Sequence, residues 1–183
     1  MLKTLSLSLA ITSTLIAGVA IAQSNPTVGG APMLETMNIV ENAVNSPVHT
    51  TLVAAVQAAD LVDTLAGEGP FTVFAPVNDG FSALPAGTVD TLLMPENKDQ
   101  LVKVLTAHVV AGRLSGGELK RDVQANNGRL ELTTVSGDTL IVMEAGNGLS
   151  LMDESGGTST ITIADVNQSN GVIHVVNNVL VPQ

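Results

Sequence analysis

The apolar residues of this 183-residue chain change their spacing at Arg129. Before that point they recur every three or four positions, as in "TTLVAAVQAA" and "DQLVKVLTAH", which is the spacing of a helix with one buried face. After it they alternate with polar residues in "RLELTTV", "TLIVME", "LSLMD" and "TSTITIAD", which is typical of short strands. Helices followed by a run of strands predict an α+β domain.

The first residues have the pattern of an export signal. Lys3 precedes an apolar stretch that runs from Leu5 to Ala20, and Ala20-Ile21-Ala22 has the small-x-small form of a signal-peptidase site. We expect residues 1–22 to be a signal peptide, so the mature protein is exported to a periplasm or to the outside of the cell. A transmembrane anchor is the alternative, but the stretch is short and no charged stop follows it. We therefore expect no membrane insertion after signal cleavage.

The composition argues against several kinds of partner. The formal net charge is −10 at pH 7, and such a surface repels nucleic acid and anionic lipid, which bind through Lys and Arg. There is no cysteine, which excludes disulfides and thiol chemistry. Trp and Tyr are also absent, and aromatic platforms for sugars or nucleotides need such side chains. The composition favours a solvated extracytoplasmic module and indicates no substrate.

After the signal, the chain has room for one domain with one core. Residues 23–37 contain Pro and Gly and are predicted to be a flexible N-terminal lead, and residues 38–183 a single domain. In "NIVENAV" the apolar positions Ile39, Val40, Ala43 and Val44 predict one buried helix face. A further helix is predicted to begin at Asn97, where Gln100 completes a capping-box pattern.

The last strand reads "GVIHVVNNVLVP" and is apolar on both faces, which predicts a central position in the sheet. Val172, His174, Val176 and Leu180 lie on one face. Ile173, Val175, Val179 and Val181 lie on the other. A histidine within such a strand is either a reactive group or a buried residue that hydrogen-bonds the backbone.

Two stretches resemble the signature boxes of the fasciclin, or FAS1, domain family. They are "TVFAPVNDGFSAL" (Thr72 to Leu84) and "NGVIHVVNNVLVP" (Asn170 to Pro182), and "LTAHVVAG" between them resembles the family's tyrosine-histidine segment. The resemblance implies a wedge of two β-sheets flanked by several short helices, and a role in extracellular adhesion or matrix interaction without catalysis. The positions that it marks as the structural motif are Thr72, Phe74, Pro76, Asn78, Asp79, His108, Gly171, His174 and Asn177.

The same resemblance implies a partner-binding site at Asp165 and Val166. They match an Asp-Ile pair that is associated with receptor binding in adhesive members. The other interpretation, which we favour, is that Asp165 starts a turn between two strands. The sequence departs from the family pattern at Ala107, Asn167 and Asn177, where an aromatic residue or Asp is common.

No pattern for catalysis or metal binding is present. His49, His108 and His174 are far apart in sequence and lack metal-ligand spacing. There is no G-x-S-x-G elbow, and "DVNQSNG" lacks the glycine and glutamate of a calcium loop. We expect no cofactor, no metal and no catalytic residue. His108 and His174 are instead predicted to bond backbone groups and, with Asn177, to form or border a polar cluster in the core.

The sequence therefore predicts an exported, non-enzymatic adhesion or interaction module. Its expected partner is a cell-surface or matrix protein or polysaccharide. Two alternatives stay open, a small-ligand or polysaccharide-binding envelope protein and a stress-related structural protein of the envelope. The sequence specifies neither the partner nor the oligomeric state.

Overall fold

The computed structural model describes residues 25–182, and the predicted signal peptide lies outside these residues. Helices dominate the first part of the described chain and strands the second. The helices are α1 (Ile39–Asn45), α2 (Thr50–Ala58), α3 (Val62–Ala66), α4 (Asn78–Ser82), α5 (Thr88–Leu92), α6 (Lys98–Thr106) and α7 (Gly116–Ala125), with a 3-10 turn at Pro95–Asn97. The strands are β1 (Thr27–Val28), β2 (Ala31–Pro32), β3 (Phe71–Pro76), β4 (Val109–Ala111), β5 (Arg129–Thr133), β6 (Thr139–Ala145), β7 (Gly148–Met152), β8 (Thr158–Gln168) and β9 (Gly171–Val176).

Seven of these strands form one sheet in the order β4-β3-β9-β8-β7-β6-β5, and β1 pairs with β2 as a separate hairpin. All neighbours in the large sheet are antiparallel except β3 and β9, which run parallel from Phe71 beside Gly171 to Pro76 beside Val176. The two sequence boxes, which contain β3 and β9, therefore meet at adjacent strands of the sheet. The predicted α+β class is confirmed. Within residues 25–182, no helix has the length and apolar character needed to cross a membrane.

The strand β9 is buried along its whole length, as its two apolar faces predicted. Ile173 and Val175 pack into a core cluster that also contains Leu52, Val56 and Leu105 from α2 and α6. On the other face, Val176 belongs to a second cluster, which is closed by α7 through Leu119 and Val123. The sheet thus separates two apolar cores, and β9 contributes to both.

The predicted apolar face of α1 is wrong at one end. Val44 is 58% exposed, whereas Asn42 is fully buried. The Asn42 side chain donates to the Leu34 carbonyl at 2.7 Å, accepts from the Leu34 amide at 2.9 Å, and also bonds Gln168. A polar residue can occupy the inner face because all of its hydrogen-bonding groups have partners there.

The structure also differs from the sequence prediction around α6. Asn97 precedes the helix, but its Oδ1 makes no capping bond; its Nδ2 donates to the Thr91 carbonyl at 2.7 Å. True capping boxes occur at the starts of α1 and α7, where Asn38 pairs with Glu41 and Ser115 with Glu118. The helix α7 is absent from the sequence prediction, although the Ser-x-x-Glu pattern at its start indicates a helix N-terminus.

The segment expected to be a flexible lead is packed against the domain from Asn25 onward. Val28 and Met33 are 2% and 6% exposed and belong to the core beside α1. The Asn25 side chain accepts a hydrogen bond from the Asn167 amide at 2.8 Å. The Gly29-Gly30 pair forms the turn of the hairpin, and burial of its apolar neighbours holds the segment in place.

Gly171, the first residue of β9, allows the closest approach of the two parallel strands. A Cβ at this position would lie 2.1 Å from the Phe71 carbonyl oxygen. We predict that Gly171→Ala lowers the free energy of unfolding by about 3 kcal/mol, because the backbone of the central strand pair must separate. Urea denaturation measures this change.

The matched control is Gly117→Ala in α7, where an added Cβ meets no atom within 4 Å. Its expected effect is smaller than about 1 kcal/mol. Equal unfolding midpoints for the two variants would contradict the required close approach at Gly171.

Candidate functional site around the buried histidines

His174 is fully buried at the centre of the sheet. Its ring stacks on Phe74 of β3, with centroids 5.6 Å apart and an interplanar angle of 27°. Nε2 lies 2.8 Å from the Leu114 carbonyl, and Nδ1 lies 3.3 Å from the Asp165 amide. A carbonyl only accepts and an amide only donates, so the neutral imidazole with its proton on Nε2 satisfies both contacts. His174 thereby joins β9 to the loop before α7 and to β8.

His108 follows α6 and is 3% exposed. Its Nδ1 lies 2.8 Å from the Val104 carbonyl, which is near the helix end, and its Nε2 accepts from the Leu180 amide at 2.9 Å. The backbone carbonyl of His108 accepts from the Phe74 amide at 2.8 Å. His108 and His174 are therefore connected through Phe74.

Both imidazoles are held neutral. Burial lowers the pKa of His108, an effect that the Val104 carbonyl and the charge of Asp153 partly offset. Burial likewise lowers the pKa of His174, against smaller opposite effects of the Leu114 carbonyl and Asp165. Because each ring nitrogen already contacts a backbone group, neither ring has a nitrogen free to attack a substrate or to bind a metal. In residues 25–182, no three histidine or carboxylate side chains are grouped as a metal site.

Two other motif residues bond the backbone of neighbouring segments. The buried Thr72 hydroxyl donates to the Gly112 carbonyl at 2.7 Å and accepts from the Leu114 amide at 2.9 Å. Asn78 accepts at 3.0 Å from the amide of Thr51 in the first turn of α2. It thus supplies the cap that the residue before α2 does not provide.

The remaining motif residues lie nearer the surface or end an element. Pro76 is the last residue of β3, and Asp79 is exposed in the first turn of α4. Asn177 is exposed, in contrast to the polar cluster that we expected it to form or border in the core. Its Oδ1 accepts from the Thr160 amide at 2.7 Å and from the Ser159 hydroxyl at 3.1 Å. Asn177 therefore extends the contact between β8 and the end of β9.

Asp165 does not start a turn between two strands, which is the interpretation that the sequence favours. It lies within β8, in an irregular part of that strand, and has a left-handed backbone with φ of 59°. Its Oδ1 accepts at 2.7 Å from the Gly116 amide at the start of α7, and its own amide contacts His174. In the described part of the chain no hydrogen bond reaches its Oδ2. The neighbouring Val166 is 1% exposed. Of the predicted partner-binding pair, only Asp165 presents its side chain at the surface.

His174→Ala tests the structural role of the central imidazole. The change leaves the Leu114 carbonyl and the Asp165 amide without their partner and opens a cavity beside Phe74. We expect the free energy of unfolding to fall by about 3 kcal/mol, measured by urea denaturation. His174→Asn retains polar atoms near the backbone, so its free energy of unfolding should fall by less than that of the alanine variant. An unchanged midpoint for the alanine variant would contradict this role.

The stability of the protein is expected to depend on pH through its histidines. Burial lowers the pKa of His49, His108 and His174 in the folded state, so the unfolded chain binds their protons first as the pH falls. The stabilisation is complete above about pH 6.5 and declines below it, by at most ~1.4 kcal/mol per pH unit for each histidine. Urea titrations at several pH values measure the slope. A flat curve between about pH 7 and 5 would refute the prediction.

Comparison with known proteins gives one consistent result. The family model described as the Fasciclin domain matches residues 47–182. The protein sll1483 of Synechocystis sp. is 47% identical over 146 residues, which are 80% of this chain and 74% of the relative. The immunogenic protein MPB70 of Mycobacterium bovis is 34% identical over 169 residues, covering 88% of this chain and 78% of the relative.

The fold agrees with these sequence matches. A FAS1 domain pair from the insect cell adhesion molecule Fasciclin I superimposes with a TM-score of 0.69 at 17% identity, covering 78% of this chain and 50% of that chain. The predicted FAS1 fold is thus confirmed, and this chain is a member of the fasciclin-domain family.

Proposed function

We propose that this protein is an exported, non-enzymatic interaction module that binds a protein or polysaccharide of a cell surface or extracellular matrix. The family membership supports this role, because the related fold of Fasciclin I belongs to a cell adhesion molecule. The signal-like segment at residues 1–22 supports export to a periplasm or beyond the cell. The interacting unit in this proposal is the single domain predicted from residue 38 onward, together with the segment from Asn25 that packs against it.

The state of the two core histidines supports a role without catalysis. A histidine that acts as general base needs a nitrogen within hydrogen-bond reach of its substrate. Both nitrogens of His108 and of His174 contact backbone groups instead. The hydrogen bonds of these ring nitrogens hold segments of the chain together.

The observation that carries the proposal is the fixed carboxylate of Asp165. Its Oδ1 is held by the Gly116 amide, and its backbone is held by His174. It borders a surface recess of about 290 Å³ that Lys120 and Gly148 also line. A partner that donates a hydrogen bond or a positive charge to Oδ2 would meet an acceptor that is already ordered, so little conformational entropy is lost on binding. In this proposal the buried Val166 does not contact the partner; it packs in the core and supports the position of Asp165.

Asp165→Asn tests this contact. Asparagine keeps an oxygen for the Gly116 amide and tolerates the left-handed backbone, but it removes the negative charge. We expect adhesion of cells or matrix extract to the immobilised protein to fall about tenfold in apparent affinity, as for loss of one charged hydrogen bond.

The matched control is Asp90→Asn, a change of an exposed carboxylate in α5. It should leave adhesion unchanged, and the melting temperatures of both variants should equal that of the parent protein. Undiminished adhesion by Asp165→Asn would exclude Asp165 as the contact. Absence of adhesion by the parent protein would contradict the proposed function itself.

A further inference from the structure

The core cluster on the α1 and α2 side of the sheet contains a cavity of about 230 Å³. Its floor is formed by β3 and β9 through Val73, Ala75, Ile173 and Val175, and its walls include Ile39 and Leu52 from the two helices. Its lining is largely aliphatic. This cavity is separate from the Asp165 recess, which the proposed interaction uses.

The cavity reaches the surface between α1 and α2. Val44 is among its lining residues and is 58% exposed, and Val40 and Val53 are half-buried. An exposed valine at the rim explains why the apolar face predicted for α1 extends beyond the part of the helix that is packed. The opening gives a small molecule a path to the interior.

One polar group in the cavity wall has unused hydrogen-bonding capacity. His49 is 3% exposed, and its Nδ1 lies 2.8 Å from the Ser46 hydroxyl. Its Nε2 is buried without a hydrogen-bond partner in residues 25–182. The other buried polar side chains of the wall, Asn42 and His108, have their groups bonded within the protein.

Burial lowers the pKa of His49, an effect that the nearby Ala75 backbone partly offsets without forming a hydrogen bond to Nε2. The imidazole is therefore neutral near pH 7, and the cavity contains no charge to compensate an ionised ligand. The Ser46 hydroxyl can donate or accept, so Nε2 can present either a proton or a lone pair. A neutral ligand with one donor or one acceptor would satisfy it.

We propose that this cavity is a binding site for a small, neutral, mainly apolar molecule that makes a single hydrogen bond to His49 Nε2. The volume fits such a ligand, since a dry apolar cavity of about 150 Å³ binds benzene. A cavity of about 230 Å³ accommodates roughly ten non-hydrogen atoms on that scale. Water is a poor occupant, because an ordered water needs two to four polar partners, and among the described side chains of the wall only His49 Nε2 is buried without one.

Three bicyclic probes of nearly equal shape test the site. Indole offers a donor, benzofuran an acceptor, and indene neither. Titration of the purified protein with each probe, followed by backbone amide NMR shifts at Val44 and Val175, gives the three dissociation constants. We expect indole or benzofuran to bind about three- to tenfold more tightly than indene, which is the effect of one hydrogen bond.

His49→Leu should remove this preference and leave indene binding within about threefold of the parent value. Ala43→Leu, which places a larger side chain in the cavity wall, should abolish binding of all three probes. Ala54→Leu on the exposed side of α2 is the matched control and should leave the three dissociation constants unchanged. Absence of saturable shifts with every probe, or undiminished binding to Ala43→Leu, would overturn the site. Equal affinity for the three probes would overturn the role of His49.

Discussion

The parallel pairing of β3 with β9 is the contact on which the rest of the fold depends. The two strands are distant in the chain, and a parallel pair requires a long crossover connection. Here the crossover contains α4 to α7 and the antiparallel strands β4 to β8. Because β9 is buried on both faces, both sides of the sheet must be covered. Helices that include α1, α2 and α6 cover one side, and α7 with strands β6 and β7 covers the other. The close approach at Gly171 sets the distance between the two strands.

The two core histidines act where regular pairing leaves backbone groups without partners. Each imidazole donates to one carbonyl and accepts from one amide, and it can do both only when neutral. An apolar residue of similar size would fill the same space but leave the four backbone groups unpaired, which is costly in a buried position. In this chain the two motif histidines therefore hold segments of the backbone together. The same reason removes both rings from catalysis, since no ring nitrogen remains available.

The local elements could be predicted from the sequence, whereas many distant contacts could not. The alternating strands and the burial of both faces of β9 follow from residue spacing. The burial of His108 and His174 was also predictable, but their partners Leu180 and Leu114 are 72 and 60 residues away in the chain. The burial of Asn42 could not be predicted from residue spacing, because its hydrogen bonds depend on Leu34 and Gln168. The unpaired nitrogen of His49 has no sequence signature at all.

The two proposed sites meet at one peptide bond of β8. Asp165 presents its carboxylate to α7 and the surface recess, and Val166, the next residue, lines the cavity on the other side of the sheet. The amide of Asp165 is also bonded to His174, so its backbone has little freedom to move alone. A molecule that displaces Val166 must therefore either strain this segment or move Asp165 with it. Any such coupling is reciprocal, because a partner that fixes Asp165 changes the affinity of the cavity by the same factor.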